Sequence, residues 1–256
     1  MKQISHLKPI KTRRDVLLFR MNAKLVLVVS CDSAGGIGPK PLDLVRVDAE
    51  VLGKFTARVA LMEALSVGAA PTCLTATLSV EREPAGIGVM KGIKSELRFA
   101  RLSLRTPILD SSEKNVAVNQ TGVGVTVVGT VSPLSLRVGR SKRGDRIIAI
   151  GTPHVGVEVL RGEREGRIAD TRDVQALAKM SFVHEIIPVG SQGVMKEAQT
   201  IAQDSRLRFM PDENANIDLV KSVGPSTVIL CAVPGSNAGT LSRAIRKPIN
   251  IVGSLE

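Results

Sequence analysis

The chain has 256 residues, of which 43% are hydrophobic, enough to form one large domain or two modest ones. No apolar run approaches the roughly 20 residues that span a bilayer, so the composition argues against a membrane protein. The 35 lysines and arginines exceed the 24 aspartates and glutamates, and the resulting formal charge of +11 favours anionic partners.

The basic residues cluster at 8–14, 137–146 and 243–247, where a solvated surface is the simplest interpretation. The chain has no Trp or Tyr and only five Phe, so it offers few of the stacking platforms that nucleic-acid-binding proteins use. Nucleic acid is therefore a disfavoured partner.

The cysteines and the start of the chain indicate a compartment. The start lacks the apolar core of a signal peptide. Cys31, Cys73 and Cys231 are odd in number, widely spaced and set in apolar surroundings, which is typical of reduced thiols. We therefore expect a cytoplasmic protein.

The first half of the chain alternates strands and helices. The predicted elements are a short strand at 16–19, a buried strand at 25–29, a loop at 30–40, a helix from 48 to 68, a strand at 72–80, a helix at 87–100, a short strand at 102–108 and a β segment at 116–131. This order predicts an α+β domain with a mixed or antiparallel sheet.

The loop at 30–40 is the most informative of these elements. Asp32 is followed by three glycines in four residues: Gly35, Gly36 and Gly38. A carboxylate can hold Mg²⁺, and glycines let backbone N–H groups approach phosphate oxygens closely. The loop does not match a P-loop, because Lys40 is followed by proline, and it lacks the helix of a dinucleotide fingerprint. An ordinary turn remains an equal alternative on these residues alone.

The predicted helix that follows begins at Asp48 as N-cap and ends at Gly68. Its apolar residues form one stripe, and Glu63 projects at the edge of that stripe beside Leu52 and Val59. If Glu63 is buried, its carboxylate needs a cation or hydrogen bonds. A glutamate that reaches solvent from the edge of the stripe is the alternative.

The second half has shorter alternating units. The segment 132–144, with two glycines and four basic residues, indicates a boundary, and we place the domains at 1–135 and 136–256. The predicted elements are a strand at 146–150, a helix at 173–180, a strand at 184–189, a helix at 194–203, a strand at 227–233 and a helix at 237–245. This order predicts a smaller α/β domain.

Three segments resemble an ATP-binding superfamily typified by aminoimidazole ribonucleotide synthetase, thiamine-monophosphate kinase and selenophosphate synthetase. They are 31–38 with Asp43 following, 58–71, and 144–151. Within that superfamily the sequence is most similar to the α-ribazole kinases of cobalamin salvage. The segments that carry this second resemblance are 32–40, 56–63, 81–84, 111–115 and 121–126.

The resemblance implies ATP-dependent phosphorylation of the ribosyl 5′-hydroxyl of α-ribazole. It also implies a homodimer whose N-terminal sheets pair into a barrel, with ATP bound near that interface. Under this hypothesis Mg²⁺ is held by four carboxylates: Asp32, Asp43, Glu63 and Glu113. The backbone of the three glycines cradles phosphate, Lys40 and Arg58 offset its charge, and Asp32 also serves as the general base.

Two alternatives remain open. One keeps the ATP site but changes the acceptor to thiamine monophosphate or another small molecule. The other is a basic nucleic-acid-binding or regulatory module without catalysis, which the charge favours and the scarcity of aromatic residues disfavours.

Overall fold

The computed structural model describes residues 7–103 and 105–256. The elements of the first half are β1 (Lys8–Ile10), β2 (Val16–Arg20), β3 (Val26–Gly35), β4 (Ile37–Gly38), β5 (Val45–Arg46), α1 (Ala49–Ser66), β6 (Ala70–Glu81), α2 (Ile87–Phe99), β7 (Ile108–Glu113) and β8 (Gly122–Val131). Those of the second half are β9 (Asp145–Gly151), α3 (Glu158–Arg164), α4 (Thr171–Ala178), β10 (Glu185–Pro188), α5 (Gly193–Asp204), β11 (Phe209–Pro211), β12 (Val228–Pro234), α6 (Ala238–Ala244) and β13 (Ile249–Leu255). Short helical turns follow β6 and β12.

The first half forms an open six-stranded sheet in the order β1-β2-β3-β8-β6-β7, with a small parallel pair, β4-β5, beside it. Only β6 and β7 run parallel within the larger sheet. Its inner face is buried, because alternate residues such as Val28, Ala76 and Val125 are apolar and pack against α1 and α2.

The helices α1 and α2 cross closely. A Cβ on Gly53 would lie 2.1 Å from the carbonyl oxygen of Val89, and one on Gly92 would lie 2.0 Å from that of Glu50. Glycine at these two positions therefore lets the backbones touch, which fixes α1 over the sheet.

The second half forms a five-stranded sheet in the order β10-β12-β9-β13-β11. All four of its pairings are antiparallel, although strands and helices alternate along this part of the chain. The fold is thus a mixed α/β structure with two main sheets. No helix in the described residues is both long and apolar enough to cross a membrane.

The two sheets share a hydrophobic core, and ion pairs join the two halves of the chain. One hydrophobic cluster runs from the inner face of the first sheet to Ile148, Ile150 and Ile229 of the second. The fully buried side chain of Arg14 pairs with Glu185, and its Nε lies 3.5 Å from Asp204. The division between the sheets falls at 132–144, as the composition shift indicates, while the boundary at 135 stays a prediction.

The observed elements differ from the prediction at several points. The strand β3 does not stop at residue 29 but continues to Gly35, because β8 supplies partners along its whole length. The strand predicted at 102–108 instead occupies 108–113, where the mostly polar residues pair with β6 at the sheet edge. The elements missed altogether are β1, β4, β5, α3, β11 and β13.

Candidate active site

A cleft of about 500 Å³ lies between the two halves of the chain, where the end of β3 and the start of α1 face the second half. Its walls are largely apolar, with Val47, Val51, Phe55, Val159 and Leu160 among them. The polar residues of the lining are Asp32, Ser33, Thr56, Ser191 and Ser222, and the Ser33 side chain lies on the opposite face of β3 from that of Asp32. A largely apolar cleft with a few polar groups is the usual form of a small-molecule site.

Asp32 supplies the carboxylate of this cleft. Because β3 extends through Asp32, the residue pairs with Val125 of β8 and its side chain lies on the inner side of the sheet. Burial raises the pKa of Asp32 to about 6, and a hydrogen bond from the backbone N–H of Ser33 opposes that rise. The group is ionised at neutral pH, so it can hold a cation or accept a proton.

The three glycines divide into two roles. Gly35 lines the cleft with open space beside its Cα atom. Gly36, at φ +67°, donates its N–H to the Thr121 carbonyl at 2.9 Å. Gly38 has φ +144°, and a Cβ there would lie 2.6 Å from Thr121 Oγ1. Gly36 and Gly38 therefore shape the loop, and Gly35 presents backbone to the cleft.

Asp43 and Lys40 stabilise the conformation of the loop that follows β3. The Asp43 carboxylate accepts hydrogen bonds from the Thr121 N–H at 2.8 Å, the Thr121 hydroxyl at 2.7 Å and the Lys40 N–H at 2.7 Å. Burial would raise the pKa of Asp43, but these bonds outweigh it and lower the pKa. Lys40 Nζ lies 2.5 Å from Glu81 Oε2. These positions hold the loop and do not support the predicted contacts with Mg²⁺ and phosphate.

Arg58 lies between the helices and not in the cleft. Its Nε and one terminal nitrogen donate to Glu96 at 3.1 and 2.9 Å, and the other terminal nitrogen donates to Glu163 at 2.9 Å. The Phe55 ring centroid lies 4.8 Å from the guanidinium carbon. All three nitrogens are engaged, so the predicted phosphate contact of Arg58 has no support from its position.

Glu63 is buried, which excludes the solvent-reaching alternative. Burial, reinforced by the negative charges of Asp15, Glu197 and Asp32, raises the pKa of Glu63 well above its ordinary value. Arg14 opposes this rise only in part, because Arg14 is already paired with Glu185. Glu63 is therefore the buried member of an acidic cluster, which we define as Asp15, Asp32, Glu63 and Glu197; Asp15 is exposed, and Asp32 and Glu197 are half-buried.

Glu113 lies on the edge strand β7, three strands across the sheet from β3, and pairs in register with Glu81 of β6. Its Oε1 accepts hydrogen bonds from the backbone N–H groups of the next three residues, at 2.7 to 3.2 Å. These bonds, chiefly those from Asn115 and Val116, lower the pKa of Glu113. Glu113 thus closes its own turn, and the structure does not bring it to Asp32.

The four predicted metal ligands do not converge within this chain. Among the residues that the structure describes, no group of three or more His, Cys, Asp or Glu side chains is arranged to hold a metal ion. A smaller donor set still fits Mg²⁺, because that ion is commonly held by one or two carboxylates together with substrate phosphates and water. Asp32 is the carboxylate that the cleft offers for this.

Sequence reasoning missed the part of the cleft that the second half supplies. Ser191 and Ser222 bring hydroxyl groups, and Val159 and Leu160 of α3 pack toward Val51 and Phe55 of α1. The position of Ser191 could have indicated a site residue, since it follows the predicted strand at 184–189. The sequence of α3 gave little indication of a helix that lines a cleft, because four of its seven residues are charged.

Comparisons with solved structures show the fold. Similar structures include a thiamine-monophosphate kinase from Stenotrophomonas maltophilia K279a, at 17% identity and a TM-score of 0.64, covering 98% of this chain and 89% of that one. AaThiL complexed with AMPPCP and TMP is similar at 14% identity and a TM-score of 0.64, covering 95% and 84%. Escherichia coli HypE, a hydrogenase maturation protein, is similar at 17% identity and a TM-score of 0.66, covering 90% and 79%.

No family model matches the sequence, and no curated protein does either. The likeness therefore extends to the fold and spans most of both chains. Thiamine-monophosphate kinase is one of the proteins that typify the superfamily named above, so the expected fold is confirmed at this level.

Proposed function

We propose that this protein is an ATP-dependent kinase that phosphorylates the ribosyl 5′-hydroxyl of α-ribazole, a step of cobalamin nucleotide-loop salvage. The observation that carries the proposal is the cleft in which the carboxylate of Asp32 and the open backbone of Gly35 meet apolar walls. The sequence resemblance supports the choice of acceptor, and the fold supports the use of ATP.

In the proposed reaction the acceptor hydroxyl attacks the γ-phosphorus of ATP. The bond between that phosphorus and the β,γ-bridging oxygen breaks, and ADP leaves. Asp32 accepts the hydroxyl proton, or holds the cation that orients the phosphates, and both roles require the ionised form. Mg²⁺, when bound, neutralises phosphate charge. Gly35 lets the phosphates approach the backbone without a side chain in the way.

The lining of the cleft supports an acceptor with an apolar ring. Val47, Val51, Phe55 and Leu160 present hydrocarbon surface, and the benzimidazole ring of α-ribazole would remove that surface from water. Ser191 and Ser222 offer hydroxyls to the ribose.

The test is phosphoryl transfer from ATP with Mg²⁺ and a panel of acceptors. We expect α-ribazole to yield a new phosphate ester and Asp32→Asn to lower its kcat at least 100-fold while the circular dichroism spectrum is unchanged. Asp48→Asn is the matched control, because Asp48 is an exposed carboxylate at the N-cap of α1 and asparagine also caps helices. Full activity of Asp32→Asn would remove Asp32 from the mechanism.

Thiamine monophosphate is the second candidate acceptor. Two of the similar structures are thiamine-monophosphate kinases, and one of them holds AMPPCP and TMP. The same panel separates the candidates, since a thiamine-monophosphate kinase converts TMP and leaves α-ribazole unchanged.

We also propose that the protein is a homodimer that pairs through the outer face of its first sheet. This face consists of alternate residues on β2, β3, β8, β6 and β7, all of them uncharged and at least partly exposed: Leu17, Phe19, Leu27, Val29, Cys31, Ser33, Thr126, Val128, Thr130, Cys73, Thr75, Thr77, Leu109 and Ser111. The charged residues at alternate positions of these strands, Glu81 and Glu113, lie at the ends of β6 and β7, and the rest of the face carries no charge, which is unusual for a surface left in water.

Light scattering of the purified protein tests the dimer. Val128→Asp places a charge at the centre of the outer face and should give a monomer, whereas Val220→Asp, at a valine that is 75% exposed and away from this sheet, should remain dimeric. A wild-type monomer would contradict the proposal.

A further inference from the structure

A second cavity, of about 640 Å³, lies apart from the cleft and shares no lining residue with it. It is formed by the connection between the two sheets and by the segment between α4 and β10. Its charged and titratable lining consists of Arg137, Arg140, Lys142 and His184. The two arginines and the lysine belong to the basic cluster at 137–146, which the proposed kinase reaction does not use.

The cations of this cavity are not neutralised by the protein. In the ranges 7–103 and 105–256, Arg137, Arg140 and Lys142 take part in no ion pair. Burial, together with the positive charge of Arg140, lowers the pKa of Arg137. The cations therefore repel one another, and an anion between them would relieve that repulsion.

Two carboxylates lie behind the cavity, and both are committed elsewhere. Asp145 accepts a hydrogen bond from the Lys142 N–H at 2.8 Å and lies 2.7 Å from His184 Nδ1. Glu185 accepts from the backbone N–H groups of Arg140 and Ser141 and pairs with Arg14. Both carboxylates are buried, so the face that the cavity presents remains positive.

The geometry also holds the cations in place. The Arg137 guanidinium donates to the backbone carbonyls of Val183 and, at 2.6 Å, Ala178. Arg140 donates to the carbonyls of Pro133 and Leu134. Because carbonyls orient the two guanidinium groups without cancelling their charge, both are arranged before any ligand arrives.

We propose that this cavity is a binding site for a small anion that carries two or more phosphate groups. The basic side chains match phosphate, while Leu134, Ala178 and Val183 are the apolar lining and offer no aromatic ring for a base. The site is independent of the cleft, so its failure would leave the proposed kinase activity untouched.

Calorimetric titration of the full chain with pyrophosphate, without nucleotide or Mg²⁺, tests this site. We expect saturable binding that Arg140→Gln/Lys142→Gln weakens at least tenfold, because each change removes a charge-assisted contact. The control Lys24→Gln/Arg243→Gln loses the same charge from exposed positions outside the cavity and should bind like the wild type.

Lys142→Gln alone serves as a second variant if the double variant misfolds. The Lys142 side chain makes no hydrogen bond or ion pair in the described chain, so its replacement should leave the fold intact and still weaken binding. Orthophosphate, titrated in parallel, should bind more weakly than pyrophosphate because one phosphate spans fewer of the cations. The proposal fails if the wild type shows no saturable binding, if orthophosphate binds as tightly, or if the control loses as much affinity as the cavity variants.

Discussion

The helix α1 buries two charged side chains five residues apart, Arg58 and Glu63, and their surroundings are opposite. Arg58 meets two carboxylates and two aromatic rings, so its charge is compensated where it lies. The surroundings of Glu63 include the negative charges of Asp15, Glu197 and Asp32, which together with burial outweigh the positive charge of Arg14. The ion pairs of Arg58 join α1 to α2 and α3. Glu63, in contrast, lies in the core near Asp32, which lines the cleft.

The comparison separates two uses of a buried charge. A paired charge fixes helices in one arrangement, and removing one partner leaves the other buried without compensation. A crowded set of carboxylates is costly while all are ionised, and proteins keep such sets where protons or cations are handled. The following substitutions test this distinction, from the largest expected effect to the smallest.

Removal of the paired cation should have the largest effect. Arg58→Met leaves Glu96 fully buried without its cation, and we expect a loss of about 3–5 kcal/mol in the free energy of unfolding. Urea denaturation at pH 7 measures this loss. The double variant Arg58→Met/Glu96→Gln should recover part of it. A loss below about 1 kcal/mol would show that the pair is not coupled to the fold.

The acidic cluster should make stability depend on pH. Burial and the charge of Asp15 raise the pKa of Glu197 from 4.5 to about 7, and the pKa of Glu63 is raised as well. The folded chain therefore binds these protons more tightly than the unfolded chain does. The resulting stabilisation is complete below about pH 4.5 and is lost as the pH rises through about 7.

Urea denaturation at pH 5 and pH 8 measures this dependence. We expect Glu197 alone to lower the free energy of unfolding by about 2–3 kcal/mol between these pH values. Glu63→Gln/Glu197→Gln should reduce this pH dependence, with the raised pKa values of Asp32 and Asp173 accounting for what remains, whereas Glu213→Gln, at an exposed glutamate, should leave it unchanged. A double variant as pH-sensitive as the wild type would mean that these carboxyls are not the source.

An exposed pair on the same two helices should have the smallest effect. Lys91 Nζ lies 2.7 Å from Glu50 Oε2, with side chains 67% and 40% exposed. Lys91→Gln should therefore change the free energy of unfolding by less than about 0.5 kcal/mol at pH 7. A larger loss would show that burial is not what distinguishes Arg58.

The elements that sequence patterns predicted best are those that bury an apolar face. The helix from Asp48 to Gly68 and the alternating strand at 72–80 are confirmed as α1 and β6. Burial alternates along β6 as its pattern predicts, whereas α1 is buried on nearly all sides from Leu52 to Ser66. The strand β7 shifted by six residues, since an edge strand rich in Ser, Asp and Glu is held by backbone pairing with β6 and carries little hydrophobic pattern.

The site was predicted less well than the fold. Asp32 and Gly35 line the cleft, although the local pattern alone left an ordinary turn as an equal alternative, and their roles stay predictions. Arg58 and Asp43 are residue types that commonly bind phosphate and metal ions. Their partners here, Glu96 and Thr121, lie 38 and 78 residues away along the chain, and no local sequence pattern shows such pairings. Long-range partners decide whether a charge serves structure or chemistry.

The pairing of Arg14 with Glu185 joins residues 171 positions apart. Contacts of such sequence separation slow folding, because a large loop must close before they form. The hairpins of the first sheet can pair early, whereas the segment that carries Arg14 is completed only when β10 and α5 are in place. Refolding should therefore show a late phase in which this segment is protected from hydrogen exchange together with β10.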